Sequence, residues 1–307
     1  MPFELKAGRK VERELKRVAD TQLVLALREL HTIGTKRADR AVHEARRHVR
    51  RVRAMLRLVR PTLGDAYVGA SRRLRLAHHL LAPIADAEAL MSRQQDVAGW
   101  LDGRVPAATV AAIRSSLARH ATAVDRRASF ERVLHKAVRL LRAERLAIDG
   151  WTLTTRGVGA IRAGLQRTVR DARQAMHTAL QRPTTAHYHA WRRRVKDLRL
   201  QVHLLSLRCG GRLREEERQL TALDTCLGEY HDLVLLERLL VTEVDVSRAA
   251  AAACLRVLRQ RQALLRQSAA RLGPLALGER PRAFVRHVGE LWRTPPASTA
   301  HSEDTRH

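Results

Sequence analysis

A chain of 307 residues has room for one large domain or two of medium size, and its 58 Lys and Arg against 31 Asp and Glu leave a net charge of +27. Such a surplus calls for an anionic partner or a dense counterion cloud, while aromatics at only 3% argue against a platform for stacking single-stranded bases. No run of 18 apolar residues exists, MPFELKAGRK lacks a signal-peptide core, and Cys209, Cys226 and Cys254 lack metal-ligand spacing. The expectation is a soluble cytoplasmic protein in a reducing compartment, without membrane contact.

Residues 9 to 33 place Val11, Leu15, Val18, Leu23, Leu27 and Leu30 at helical spacing and stop near Gly34, which predicts a first helix. Within it, Glu12-Arg13-Glu14-Leu15-Lys16 fits E-x-E-x-K and resembles the signature of the CYTH triphosphatase tunnel, where alternating carboxylates on a strand hold metal. Here the flanking apolar period is helical and Glu12 and Lys16 form an i,i+4 pair, so no catalytic role is expected.

Val42 to Arg60 carries two parallel stripes. Val42, Ala45, Val49, Val52, Leu56 and Val59 recur at intervals of three and four, the apolar seam of a packed helix. His43, Arg46, Arg50, Arg53, Arg57 and Arg60 repeat those intervals one residue later, which sets the basic stripe about 100° around the helix, beside the core rather than opposite it. Neighbouring cations about 5 Å apart along the axis repel by roughly 0.8 kcal/mol even in bulk water. An anion would relieve that repulsion; the plainer alternative is a solvated arginine face whose long side chains reach out to water.

The helix should end at Pro61 and Gly64. A third is expected from about Tyr67 to Leu81, with Arg72, Arg73, Arg75, His78 and His79, broken by Pro83 ahead of Asp86. The texture from Pro106 to Ile148 is again helical, and Asp149-Gly150-Trp151 makes a turn where a first unit, residues 3–150, gives way to a second, residues 151–293. There a helix near Gly157 to Leu180 is closed by Pro183. Thr184 or Thr185 caps the next helix.

That next stretch repeats the double pattern. Tyr188, Trp191, Val195, Leu198, Val202 and Leu205 form the seam, and His189, Arg192, Lys196, Arg199 and His203 the basic stripe. The shift from His43 to His189 is 189 − 43 = 146 residues, and it also carries Arg46 to Arg192, Arg50 to Lys196, Arg53 to Arg199 and Asp86 to Asp232. A register kept over that span points to duplication of a whole unit. Gly210-Gly211 should end the helix, further helices are expected over Arg212 to Leu240, Ser247 to Leu272 (stopped by Gly273-Pro274) and Pro281 to Trp292, and the tail 294–307 should be disordered. Nothing reads as a strand, so the fold class is all-α.

H-x-x-R-x-x-x-R-R-x-R at His43 to Arg53, its looser copy at His189 to Arg199, and L-G-E-Y-H-D-L at Leu227 to Leu233 resemble the CHAD family, the conserved histidine α-helical domain, over roughly residues 3 to 293. The resemblance implies two four-helix bundles related by a pseudo-twofold axis, with basic helices facing a central groove or pore that binds inorganic polyphosphate, and an association with polyphosphate granules. The candidate anion-binding residues are His43, Arg46, Arg47, Arg50, Arg51, Arg53, Arg57, His189, Arg192, Arg193, Lys196, Arg199 and His203, with Asp86 and Asp232 as supporting carboxylates. Two departures stand out. Ala85-Asp86-Ala87-Glu88-Ala89 lacks the arginine of the family's R-D-x-x-V, and Asp197 stands where the first copy has Arg51, so the first copy is expected to bind more strongly.

Arginine forks take two phosphate oxygens at once and lysine acts as a compact cation, which suits a flexible polyanion or other phosphate and sulfate anions. No Gly-rich phosphate loop, nucleophile or carboxylate pair for magnesium is present, so the expected role is binding without catalysis and without a cofactor. For the two stripe-leading histidines, a metal is disfavoured by Arg46 and Arg192 one turn away. The competing function class is nonspecific nucleic-acid binding, because duplex phosphate contacts need only charge.

Overall fold

The computed structural model describes residues 3–33, 38–82, 101, 103–112, 115, 127–242 and 247–293, and they contain no strand. Helices α1 (Val11–His31), α2 (Ala38–Leu63), α3 (Asp65–Leu80) and α4 (Arg127–Ala147) lead through the 3-10 turn Ile148–Gly150 to α5 (Gly159–Gln181) and α6 (Thr185–Ser206). Then come α7 (Arg214–Thr242), α8 (Arg248–Leu277) and α9 (Pro281–Arg293). Gly34, Pro83, Asp86 and the tail 294–307 lie outside the described residues.

Two of the helix starts follow from side-chain caps. Thr184, rather than Thr185, caps α6 by accepting the His187 N–H at 3.2 Å, and Ser247 caps α8 by accepting the Ala250 N–H at 3.3 Å. Pro281 opens α9, where its missing N–H costs no intrahelical bond.

Both apolar seams are buried. Val42, Ala45, Val49, Val52, Leu56 and Val59 of α2 are exposed by 1% or less, and Tyr188, Trp191, Val195, Leu198, Val202 and Leu205 of α6 by 3% or less. At roughly 1.5–3 kcal/mol for each large side chain taken out of water, these two helices anchor the core. Around them α1 packs on α2 and α4, and α3 on α2 and α4; α6 packs between α5 and α7, and α8 on α7 and α5, with α9 against α5. Contacts of α2 with both α5 and α6 join the two halves.

The join is close. A Cβ on Gly164 of α5 would fall 1.8 Å from the Leu58 carbonyl oxygen of α2 and 2.5 Å from its carbon, so only a bare backbone fits. Beside it Thr62 donates to the Ala160 carbonyl, and Gln201 of α6 donates to the buried Ala54 carbonyl at 2.9 Å.

Two proline expectations are corrected. Pro61 lies inside the last turn of α2 rather than ending it, and α8 runs through Gly273-Pro274 to Leu277. At Gly273 a Cβ would meet the Met176 sulfur and the Trp191 ring at 2.8 Å, so the glycine lets α8 press its backbone onto α5 and α6. The packing gained there outweighs the weak helix propensity of the pair. The end of α8 is held from α5, where the Arg173 guanidinium donates to the carbonyls of Leu277, Gly278 and Glu279.

The E-x-E-x-K run is structural. Glu12 accepts the Leu153 N–H at 2.9 Å and pairs with Lys16 at 3.7 Å, and Lys16 donates to the Asp149 carbonyl at 2.9 Å. Glu14, whose side chain is 2% exposed, takes Arg17 at 2.7 Å and the Lys6 N–H at 2.9 Å. Both carboxylates thus fasten segments that flank α1.

Gly164→Ala should lower the thermal midpoint by several degrees, since overpacking against backbone costs about 1–3 kcal/mol or more, whereas Gly289→Ala, whose Cβ would meet nothing within 4 Å, should be neutral or slightly stabilising. Calorimetric melting of both variants checks this.

Candidate functional site

The stripe lying one residue behind each seam decides where the cations go. With the seams of α2 and α6 turned into the core, Arg46, Arg50, Arg53 and Arg57 on one helix and Arg192, Lys196 and Arg199 on the other are left half-buried at its margin. They converge. Arg50 feels the charges of Arg46, Arg192 and Arg53, and Lys196 those of Arg50, Arg192 and Arg199.

The electrostatic consequence is large. Burial first, and then neighbouring cations (Arg57 and Arg75 in the case of Arg53), push the Arg50 and Arg53 guanidinium groups down to about 10 and the Lys196 ammonium down to about 8. All three still carry their charge at neutral pH. The same physics that burying a lone cation makes costly is multiplied here by placing several together.

Carboxylates enter the cluster from the second half. Asp197 of α6 accepts Arg57 at 2.9 Å, and Asp224 of α7 accepts Arg199 at 2.9 Å and also faces Arg50 and Lys196. Burial raises the proton affinity of Asp197 in spite of Arg57 and Arg53 beside it. Among the described residues, the seven stripe cations against these two carboxylates leave 7 − 2 = 5 positive charges.

The remaining candidates are placed less centrally. His43 is exposed at the head of its stripe; partial desolvation, then Arg50, Arg46 and Arg47 against the opposing pull of Glu44, lower its proton affinity. His189 lies with its Nδ1 3.3 Å from that of His231 on α7, so one ring donates and the other accepts, and burial followed by Arg193 and Arg192 lowers its proton affinity. His203 pairs with Glu217 at 2.8 Å and stacks on Phe3, with ring centroids 6.3 Å apart. Arg47 is exposed and paired with Glu44 at 3.0 Å, and Arg193 is exposed. Arg51 turns toward α1, donating to Gln22 at 3.2 Å and covering the Phe3 ring at 5.8 Å. Asp232 is half-buried on α7, and Arg60, the last of the first stripe, stacks over Tyr67 at 5.4 Å.

Three residues outside the two stripes belong to the cluster. Arg75 and His78 of α3 face the arginines of α2, and Asp224 of α7 faces those of α6. A signal for two of them was present: His78 follows Ala77 and Asp224 follows Leu223 by one residue, the offset that defines the stripes, and 78 + 146 = 224.

Among the described residues no three His, Cys, Asp or Glu gather as a metal site, and no helix is long and apolar enough to cross a membrane. The three cysteines are buried and free, with burial pushing Cys209 and Cys226 up to about 11. No curated protein matched the chain in a sequence search. The family model for the CHAD domain matches residues 7–241, which carries both basic helices and ends within α7, short of α8 and α9. With that match spanning most of the sequence and both stripes lying on paired helices inside it, the chain belongs to the CHAD domain family.

Proposed function

We propose that this protein binds inorganic polyphosphate without catalysing its turnover, along a groove between α2 and α6, and that this binding tethers it to polyphosphate granules. The carrying observation is the convergence of two half-buried cation ridges on Arg50 and Lys196, an arrangement that costs stability until an anion lies between them. The family's association with polyphosphate supports the identity of that anion.

The same contacts support a duplicated architecture with repeats over 3–150 and 151–293. Arg50 and Lys196 are equivalent under the shift of 146 and are mutual neighbours, as two residues flanking a twofold axis would be. Applied to the Arg57–Asp197 pair, the shift gives His203 and Arg51, and both of those residues lie against Phe3. The axis relates positions, not charges. The second repeat supplies both carboxylates, Asp224 on its own Arg199 and Asp197 on Arg57 of the first, so among the described residues its share of the cluster carries less net positive charge.

A linear polyanion suits this layout better than a base-paired one. Guanidinium forks along two ridges can follow a flexible chain of phosphates residue by residue, and with aromatics at only 3% the chain has little surface on which to stack bases. Nucleic acid remains the alternative occupant because its phosphates carry the same charge.

Isothermal calorimetry with polyphosphate of defined length should give saturable binding whose log affinity falls with log salt at a slope of about −3.5, from five net charges and about −0.7 per charge. Long-chain polyphosphate should displace duplex DNA at matched phosphate concentration; displacement in the opposite direction only would transfer the function to nucleic acid. Arg53→Glu should weaken binding at least about tenfold, roughly 1.4 kcal/mol, and Arg199→Glu distinctly less, because Arg199 is already engaged by Asp224; equal losses would remove the asymmetry. Since Lys196 titrates near 8 in the free protein and an anion favours its charged form, affinity should fall by up to about tenfold from pH 7 to pH 9, and Lys196→Arg should flatten that fall.

A further inference from the structure

His78 stands apart from both sequence stripes. It is half-buried on α3, one residue beyond the fully buried Ala77, and its Nε2 is buried with no hydrogen-bond partner among the described residues. Buried polar atoms are almost always paired, so an orphan nitrogen beside a charged cluster needs an explanation.

Its surroundings supply one. From α2, the charges of Arg46, Arg53, Arg50 and Arg57 bear on the ring, and Arg75 lies close by on α3 itself, near enough to act on Arg53. From α4, Glu144 is the acidic group facing α3, and it is taken by Arg73 at 2.6 Å. From α6, Asp197 reaches the same arginines but is held by Arg57. Among the described residues, the charges that bear most strongly on the ring are all arginines.

We propose that His78 is a further phosphate-contacting residue of the basic cluster and that it takes up a proton from solvent as the polyanion binds. This rests on the polyphosphate reading above and adds a proton linkage to it. In the free protein burial, and then the four arginines, hold the ring neutral, with its proton affinity down at about 2. A phosphate chain laid on those arginines cancels their repulsion and presents an acceptor oxygen. The ring then binds a solvent proton, and its Nε2–H donates to the phosphoryl oxygen. At the equivalent position of the second half stands Asp224, an acceptor already holding Arg199, so the linkage belongs to the first half alone.

Calorimetry at pH 6 in two buffers of different ionisation enthalpy counts the protons absorbed when polyphosphate of defined length binds. If the bound imidazole regains an ordinary pKa of about 6.5, it contributes about three-quarters of a proton at pH 6 and makes binding about fourfold tighter at pH 6 than at pH 8. His78→Gln, which keeps an N–H donor but cannot titrate, should lose that share of the uptake and that share of the pH dependence, leaving what His43 and His189 contribute. Binding with the same uptake in wild type and His78→Gln overturns this inference alone, whereas wild-type protein that does not bind polyphosphate overturns it together with the reading beneath it. Imidazole proton–carbon resonances of the wild type give the answer without a substitution: the His78 ring on α3 should titrate between pH 5 and pH 8 only when polyphosphate is present, and its failure to do so also overturns the proposal.

Discussion

Burial of Arg50 and Lys196 among further cations is the constraint around which the molecule is arranged. Two cations that would ordinarily splay into water are held half-buried and adjacent, each with further cations one turn away on its own helix. Nothing about either helix in isolation demands this. It is forced because both apolar seams must enter the core, and a stripe offset by one residue has nowhere to go but the margin of that core.

The rest of the fold can be understood as what holds those helices against their own electrostatics. Gly164 lets α5 approach the backbone of α2 within contact of the Leu58 carbonyl, and Gln201 spends its amide on the Ala54 carbonyl across the α2–α6 contact. Gly273 lets α8 seat against Trp191 on the far side of α6. These are close, directional contacts of the kind that resist sliding, so the ridges cannot relax apart without opening the core. Glu12 and Glu14, which in sequence resemble a metal-binding pair, belong to the same scaffold: they fasten the N-terminal segment and the turn after α4 to α1.

Relief of the repulsion is uneven between the halves. Asp197 and Asp224 act as internal counter-ions for Arg57 and Arg199, and either carboxylate must share its arginine with an incoming phosphate. The first half has His78 where the second has Asp224. Under the proposed proton uptake, a neutral ring that gains charge and a carboxylate that already bears it would give the two ends of the proposed groove different responses to the same ligand.

Spacing along the chain was enough to specify the seams of α2 and α6 and the basic stripes beside them, because a helix of 3.6 residues per turn converts sequence interval directly into face. The all-α class and the helix start at Thr184 or Thr185 followed from the same local rules. What no local rule supplies is which residues meet across helices. The Arg57–Asp197 and Arg199–Asp224 pairs, the meeting of His189 with His231, the turning of Arg51 toward Gln22 and the placing of His78 against four arginines depend on how far each helix is rotated and where it crosses its neighbour. The passage of α8 through Gly273-Pro274 is of the same kind, since a pair that should break an isolated helix is kept helical by a packing contact with α5 and α6. Rotation and crossing are set by the fit of whole surfaces, and that information exists only once the chain has folded.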